Sequence, residues 1–279
     1  MIRTMVSAAN TMSQLQQQLD TIGNNMANSN THGFKAKEAK FGELLYQEFK
    51  NDKQDKTKRQ SPVGIRIGVG ARLAQAQMNS KQGGIQQTNR SLDFTFTKEK
   101  QYFNILMPDD NNGTKTVYTR QGNFYLSPLN NGNVMLVNGD GYPVADANGN
   151  AIVLKDNAKD FAVTADGTLN VRYNDNTSAN IQMGVTQVKK PQLMEHISDT
   201  YIGLPDNFNQ LGVAQADVLQ NLQGANRNQV AMQNGGLEMS NVDISKEMTE
   251  LINTQRSYQF NARTITMADQ MMGLVNGVR

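Results

Sequence analysis

Two apolar files with a seven-residue repeat, one at each end of the chain, constrain this sequence more than any other feature. From Ile2 to Met26 there is no proline, and Met5, Met12, Leu19 and Met26 recur every seven residues beside a second file of Ala8, Leu15 and Ile22. Residues three and four apart share one face of an α-helix, so the spacing predicts an amphipathic helix that ends between Asn24-Asn25 and Gly33. Ser13, Gln14, Gln17, Gln18 and Asp20 fill the other positions. At the opposite end, Ile244, Leu251, Tyr258, Ile265 and Met272 form the matching file, joined by Met248 and Ala262. Asp243 is placed to cap that helix, with Glu247 near the positive end of its dipole, and the helix is predicted to run to about Leu274, before Gly277. At a rise of 1.5 Å per residue each helix is roughly 40–50 Å long. Neither can bury its stripe alone. Two kinds of partner stay open: the other helix of the same chain, as a hairpin, or helices of other copies, as in a coiled coil or tubular polymer.

Between the ends the pattern changes. Turn signals recur at Asn112-Gly113, Asn131-Gly132, Asn138-Gly139-Asp140-Gly141, Asn148-Gly149 and Asp166-Gly167, where Asn, Asp and Gly tolerate positive φ. The intervals predict short strands at Tyr102–Met107, Val117–Thr119, Asn123–Leu126, Val134–Val137, Ile152–Leu154, Phe161–Thr164, Leu169–Arg172 and Ile181–Val188. The expected fold is α+β: a helix over 1–34, an extended connector over 35–88, an antiparallel β-rich domain over 89–205, a return connector over 206–240 and a second helix over 241–279. Lys50 to Arg59 carries five basic and two acidic side chains, a pattern that fits either a solvated loop or an electrostatic contact with a neighbour.

Composition argues against most chemistry. The 279 residues contain no cysteine, which excludes disulfides, thiolate metal sites and cysteine nucleophiles. The histidines are His32 and His196, and neither sits in a serine or paired-carboxylate constellation. A net charge of +2 gives no basic surface for nucleic acid, and a mean hydropathy of −0.58 fits a water-soluble chain. No apolar run approaches the roughly 18 residues of a membrane span, and the N-terminus lacks the segments of a secretory signal. The Asn138 and Asp166 clusters contain only fragments of a calcium loop and are predicted to be hairpin turns. Gly64-Ile-Arg-Ile-Gly-Val-Gly70 has neither dinucleotide nor P-loop spacing. No catalytic residue, metal, cofactor, nucleic acid or small-molecule substrate is expected.

The segment Thr21-Ile-Gly-Asn-Asn-Met-Ala-Asn-Ser-Asn-Thr-His-Gly-Phe-Lys35 resembles the N-terminal signature of the flagellar basal-body rod and hook protein family. Gly236-Leu-Glu-Met-Ser-Asn-Val-Asp243, continued by Glu247-Met248, Gln255-Arg256-Ser257-Tyr258 and Asn261, resembles that family's C-terminal segment. Weaker similarities occur at Gly84-Ile-Gln-Gln-Thr88, Leu92-Asp93 and Tyr118-Thr-Arg-Gln-Gly-Asn-Phe124. Lys98 to Phe103 lacks the Gly-x-Gly-Phe-Phe element usual after Leu-Asp, and Asn89 stands where glycine is common.

The resemblance implies a structural subunit, closest to the distal-rod or hook–basal-body type. Such a subunit is exported through the flagellar type III apparatus without a cleaved signal peptide and is built helically into the axial structure beyond the cytoplasmic membrane. Its partners would be copies of itself, other rod or hook subunits and the export apparatus. The two apolar files would make the assembly contacts. The motif residues Asn24, Asn25, Asn28, Gly33, Phe34, Lys35, Ser240, Asn241, Val242, Asp243, Gln255 and Arg256 would position the helices, and Phe41 and Leu45 resemble an export-gate motif that also reads as a buried connector turn. A secreted oligomeric β-domain adhesin or binding module is the alternative.

Overall fold

The computed structural model describes residues 2–43, 47–49, 65–67, 71–109 and 113–277. The chain forms two compact units: unit 1 is Met1–Met26, Lys37–Gln77 and Asp243–Arg279, and unit 2 is Ala27–Ala36 with Met78–Val242. Unit 1 holds the N-terminal helix (Ile2–Ala27) and the C-terminal helix (Ile244–Gly277). It also holds β1 (Lys37–Glu43), which pairs with β4 (Ala71–Met78), and an antiparallel pair of β2 (Gln47–Phe49) and β3 (Ile65–Ile67). The Asp243 carboxylate accepts the amides of Ser245 and Lys246 at 3.0 and 3.2 Å, so the C-terminal helix starts on the cap its sequence announces. Among the described residues, no helix is long and apolar enough to cross a membrane.

Unit 2 is antiparallel β-structure. Its strands are β5 (Ile85–Gln87), β6 (Phe94–Phe96), β7 (Gln101–Pro108), β8 (Thr114–Thr119), β9 (Tyr125–Leu129), β10 (Asn133–Val137), β11 (Val153–Lys155), β12 (Ala158–Val163), β13 (Thr168–Tyr173), β14 (Ser178–Gln182), β15 (Val185–Val188), β16 (Glu195–His196), β17 (Tyr201–Gly203), β18 (Leu219–Asn221), β19 (Met232–Asn234) and β20 (Gly236–Glu238). A six-stranded sheet runs β16-β17-β8-β7-β15-β18. Beside it lie β11-β10-β9, β12-β13-β14 and the pairs β19-β6 and β20-β5.

Both faces of the large sheet are buried, and the two-residue period of its strands sorts their side chains between two cores. Phe103, Ile105 and Val117 enter a core with Phe94, Phe96, Phe124, Leu169 and Met183, while Tyr102 and Tyr118 enter a second with Val188, Ile202 and Val218. Phe103 stacks edge-on against Phe124 at 5.1 Å and lies 4.3 Å from Phe96. The Asn/Asp-Gly signals are turns where both residues are described; Asn112 lies outside the described residues. Gly132, Gly149 and Gly167 have positive φ, and the Asn138 side-chain oxygen accepts the amides of Asp140 and Tyr142 at 3.1 and 2.8 Å.

Two local expectations need correction. Ile181–Val188 is two strands, because Gly184 turns its amide to Ala145 O at 2.9 Å and the chain changes partner from β13 to β7. Asn123 makes only an isolated bridge with Asp93, so the regular strand starts at Tyr125. The intervals 35–88 and 206–240, which show no sustained period, contain short strands, including β5 and β18 to β20. Asn89 and Lys100, where glycine is common or the glycine element is absent, have φ of +56° and +61°. These residues make left-handed turns that glycine would make without steric cost.

Candidate functional site

In unit 1 most members of the seven-residue files lie on the sheltered faces of the two helices. Ala8 and Ile22 are buried, and Met5, Met12, Leu15, Leu19 and Met26 are half-buried. On the C-terminal helix the sheltered line is Glu247, Leu251, Thr254, Tyr258, Asn261, Ile265, Ala268 and Met272, alternating steps of four and three. Ile244 and Met248 do not belong to it. They are 47% and 50% exposed, because the polar Glu247 takes the inward position of the first turn. Gln255 and Arg256 are also exposed.

Asn25 joins three elements of unit 1. Its side-chain oxygen accepts the Lys37 amide at 2.9 Å, and its nitrogen donates to Lys37 O at 2.9 Å and to Glu247 Oε1 at 3.1 Å. The start of β1 and the first turn of the C-terminal helix are thereby fixed to the end of the N-terminal helix. Among the described residues Glu247 Oε2 has no hydrogen-bond partner, and Glu247 borders a cavity of about 130 Å³ lined in part by Lys37, Glu38, Lys246 and Glu250. Burial holds the Glu247 carboxyl above its ordinary range, an effect that the bond from Asn25 opposes.

In unit 2 four distant segments meet at a buried ion cluster. Glu238 Oε1 accepts Lys35 Nζ at 2.5 Å and the Gly83 amide at 3.0 Å, and its Oε2 accepts Arg120 Nε at 2.6 Å and lies in ion-pair contact with Arg120 Nη2 at 2.5 Å. Two cations on one carboxylate leave a positive excess, which backbone carbonyls offset. Lys35 also donates to Lys81 O at 2.6 Å, and Arg120 Nη1 to Lys98 O and Gln101 O at 2.9 and 2.7 Å. Burial pulls the Lys35 pKa down, against the attraction of Glu238.

Asn241 lies beside this cluster. Its side-chain oxygen accepts the Ala36 amide at 2.8 Å, and its nitrogen donates to Asn79 O at 2.9 Å and Lys81 O at 3.0 Å. Gly33, at φ +75°, packs against the Arg120-Gln121 peptide and donates its amide to Glu238 O at 2.8 Å. Phe34 is fully buried, Asn28 receives the Thr31 hydroxyl at 3.0 Å, and the Ser240 hydroxyl accepts the Val242 amide at 3.3 Å. Asn24 and Val242 are half-buried.

The motif residues therefore fall into two groups, one around Asn25 in unit 1 and one around Lys35 and Asn241 in unit 2. Phe41 lies in β1, and Leu45 and the basic stretch 50–59 lie outside the described residues. Arg120 and Glu238 were not among the sequence-predicted sites, although both lie inside the motif segments that carry the resemblance.

The chain is similar to known proteins along its whole length. Residues 5–35 match the family described as flagella basal body rod protein, residues 99–171 the flagellar hook protein FlgE/F/G D1 domain, and residues 233–278 the flagellar basal body rod FlgEFG protein C-terminal family. The chain is 43% identical over 286 residues to the flagellar hook-basal body complex protein FlhP of Bacillus subtilis, covering 100% of each chain. It is 32% identical over 282 residues to the flagellar basal-body rod protein FlgG of the same organism, covering 98% of this chain and 97% of the relative. Identity to FlgG of Borreliella burgdorferi is 30% over 281 residues, covering 100% and 99%. With similarity running from end to end, the chain belongs to the flagellar basal-body rod and hook protein family, as a structural subunit of the flagellar axial structure.

Proposed function

We propose that this subunit polymerises helically through its terminal helices, with copies of itself and with other rod or hook subunits, and that the polymer transmits torque. The observation that carries this reading is a second apolar line on the C-terminal helix. Phe260, Met267, Met271 and Leu274 are exposed, at 67% for Phe260 and 71% for Leu274. Their spacing places them roughly a third of a turn from the sheltered line of Tyr258, Ile265, Ala268 and Met272. A helix with two apolar lines needs neighbours on two sides, and at about 25 cal/mol per Å² removal of such side chains from water favours association by several kcal/mol. Helical arrays supply such neighbours through repeated heterologous contacts.

The work of such a subunit is mechanical, not catalytic. Delivery proceeds through the flagellar type III apparatus, with Phe41 and Leu45 as the export-gate motif. The decisive test is electron microscopy of basal bodies from cells carrying Phe260→Asp with Met267→Asp. Truncated axial structures beside a normally folded and exported subunit are expected, and complete flagella would sink the helical-contact reading.

A further inference from the structure

We propose that Lys35, Glu238 and Asn241 form a mechanical clamp that ties the first segment of unit 2 to its last, so that tension between the two terminal segments loads these side chains before it loads the β-core. The geometry is direct. The chain enters unit 2 at Ala27, leaves it after Ala36, returns at Met78 and leaves it finally at Val242. Three contacts bridge these segments within a few residues of the entry and exit points: Gly33 N to Glu238 O at 2.8 Å, Lys35 Nζ to Glu238 Oε1 at 2.5 Å, and Ala36 N to Asn241 Oδ1 at 2.8 Å. The side-chain bridges span 203 and 205 residues of sequence, so they close a loop that contains the whole β-core. A pull that reaches unit 2 at residues 27 and 242 passes across this short bridge, and the strands inside the loop stay slack until it opens.

A third segment locks the bridge. Asn79 donates its amide to Ala36 O at 2.8 Å and gives its carbonyl to the Asn241 side chain at 2.9 Å. Lys81 O accepts from both Lys35 and Asn241, and the Gly83 amide reaches Glu238 Oε1. Arg120 anchors the far side of the same carboxylate to the sheet. Every polar atom of the Asn241 side chain is used within this group, and each bond joins one of three chain segments that pass out of unit 2. Charge-assisted bonds in a dry site are strong and directional, which suits a bridge that must hold under load.

The clamp rests on the torque-transmitting reading above for its biological use, whereas its mechanics belong to the single chain. The test is therefore force spectroscopy on the purified full-length monomer, tethered by its two ends, with Asn241→Ala, Lys35→Met and a β-core control, Leu169→Ala. The expected result is an inversion of rank: Leu169→Ala lowers the melting temperature of unit 2 more, yet Asn241→Ala and Lys35→Met lose more of the unfolding force. If Lys35→Met fails to fold, Asn241→Ala, which leaves no unpaired charge, decides alone. Unfolding forces that stay at the parental value in the clamp variants, or that simply follow the order of melting temperatures, would overturn the clamp. Failure to assemble leaves these forces unchanged and is read separately in the axial structure.

Discussion

Asn25 and Glu247 stand 222 residues apart in sequence and share a 3.1 Å hydrogen bond inside unit 1, where Asn25 is 1% exposed and Glu247 is 8% exposed. A carboxyl raised above its ordinary value of 4.5 binds more protons in the folded state. Its contribution to stability is therefore fully present below 4.5 and is lost as pH rises through the folded value. Glu247→Gln keeps an acceptor for Asn25 and removes the buried charge. It should raise the stability of the helical unit at pH 7 and flatten the rise on acidification. Lys37 and Glu38 from β1, with Lys246 and Glu250 from the helix, face the same cavity and remain in both proteins, so the difference between the two pH profiles isolates Glu247. Asn25→Ala should cost about 2–3 kcal/mol, since it strands the Lys37 amide and one carboxylate oxygen. Helical circular dichroism during thermal unfolding between pH 4 and 7 measures both effects, and parallel profiles for parent and Glu247→Gln would exclude the first.

The two apolar lines of the C-terminal helix predict different failures. Leu251, with Leu19 on the N-terminal helix, is half-buried within unit 1, so Leu251→Asp or Leu19→Asp should cost about 2–5 kcal/mol in the isolated subunit and also block incorporation. Phe260→Asp should leave the isolated subunit's melting curve unchanged and still block incorporation. Gln17 is exposed on the N-terminal helix, and Gln17→Asp should be mild in both assays. Melting curves of purified subunits beside motility and basal-body composition separate the cases. Phe260→Asp cells with normal flagella would remove the exposed line from the interface.

The terminal helices were legible because many turns repeat one pattern, and the Asp243 cap because capping chemistry is local. The sheltered line of the C-terminal helix was only half legible. Glu247 and Thr254 occupy inward positions that hydropathy cannot credit, and Ile244 and Met248 fit the file while facing water. Three-residue strands such as β5 and β20 are too short to display a period. The cluster of Lys35, Arg120 and Glu238 was invisible to periodicity, because a lone charge reads as solvent-facing until its partners arrive from far along the chain. Resemblance, by contrast, singled out Asn25, Lys35 and Asn241, each of which binds backbone groups of other segments.

Alkaline unfolding of unit 2 should draw on its buried tyrosines: Tyr201, which burial also holds above the ordinary phenol range, and Tyr102 and Tyr118, which share a core on one face of the six-stranded sheet. Burial pushes the Tyr102 and Tyr118 phenols up from 10.0 to about 12. Their stabilising effect is complete below 10 and lost as pH rises through 12, on the order of 3–5 kcal/mol for the pair. The lowered pKa of Lys35 acts in the opposite sense below its ordinary 10.5, so the loss should emerge only above that pH. Tyr118→Phe should move the alkaline midpoint upward, read by near-ultraviolet circular dichroism against phenolate absorbance. An unmoved midpoint would assign alkaline unfolding to other groups.

Gly33 should be the least replaceable glycine of the N-terminal motif, for two reasons that a reference variant can separate. Its φ of +75° lies in the left-handed region, where a Cβ costs about 1–2 kcal/mol. A Cβ there would also stand 2.5 Å from Gln121 N and 2.6 Å from Arg120 C, and these are backbone atoms that cannot rotate aside. Relief requires the 33–36 segment to move off the sheet, which breaks the Gly33 bond to Glu238 O and draws Lys35 away from its carboxylate. Gly132 has a similar φ of +68° in the β9–β10 turn, with nothing within 4 Å of its would-be Cβ. Gly132→Ala should therefore lose about 1–2 kcal/mol and Gly33→Ala about 3 kcal/mol or more. Denaturant unfolding of the two purified variants gives the difference directly, and equal losses would mean that the close approach to the Arg120-Gln121 peptide relaxes without consequence.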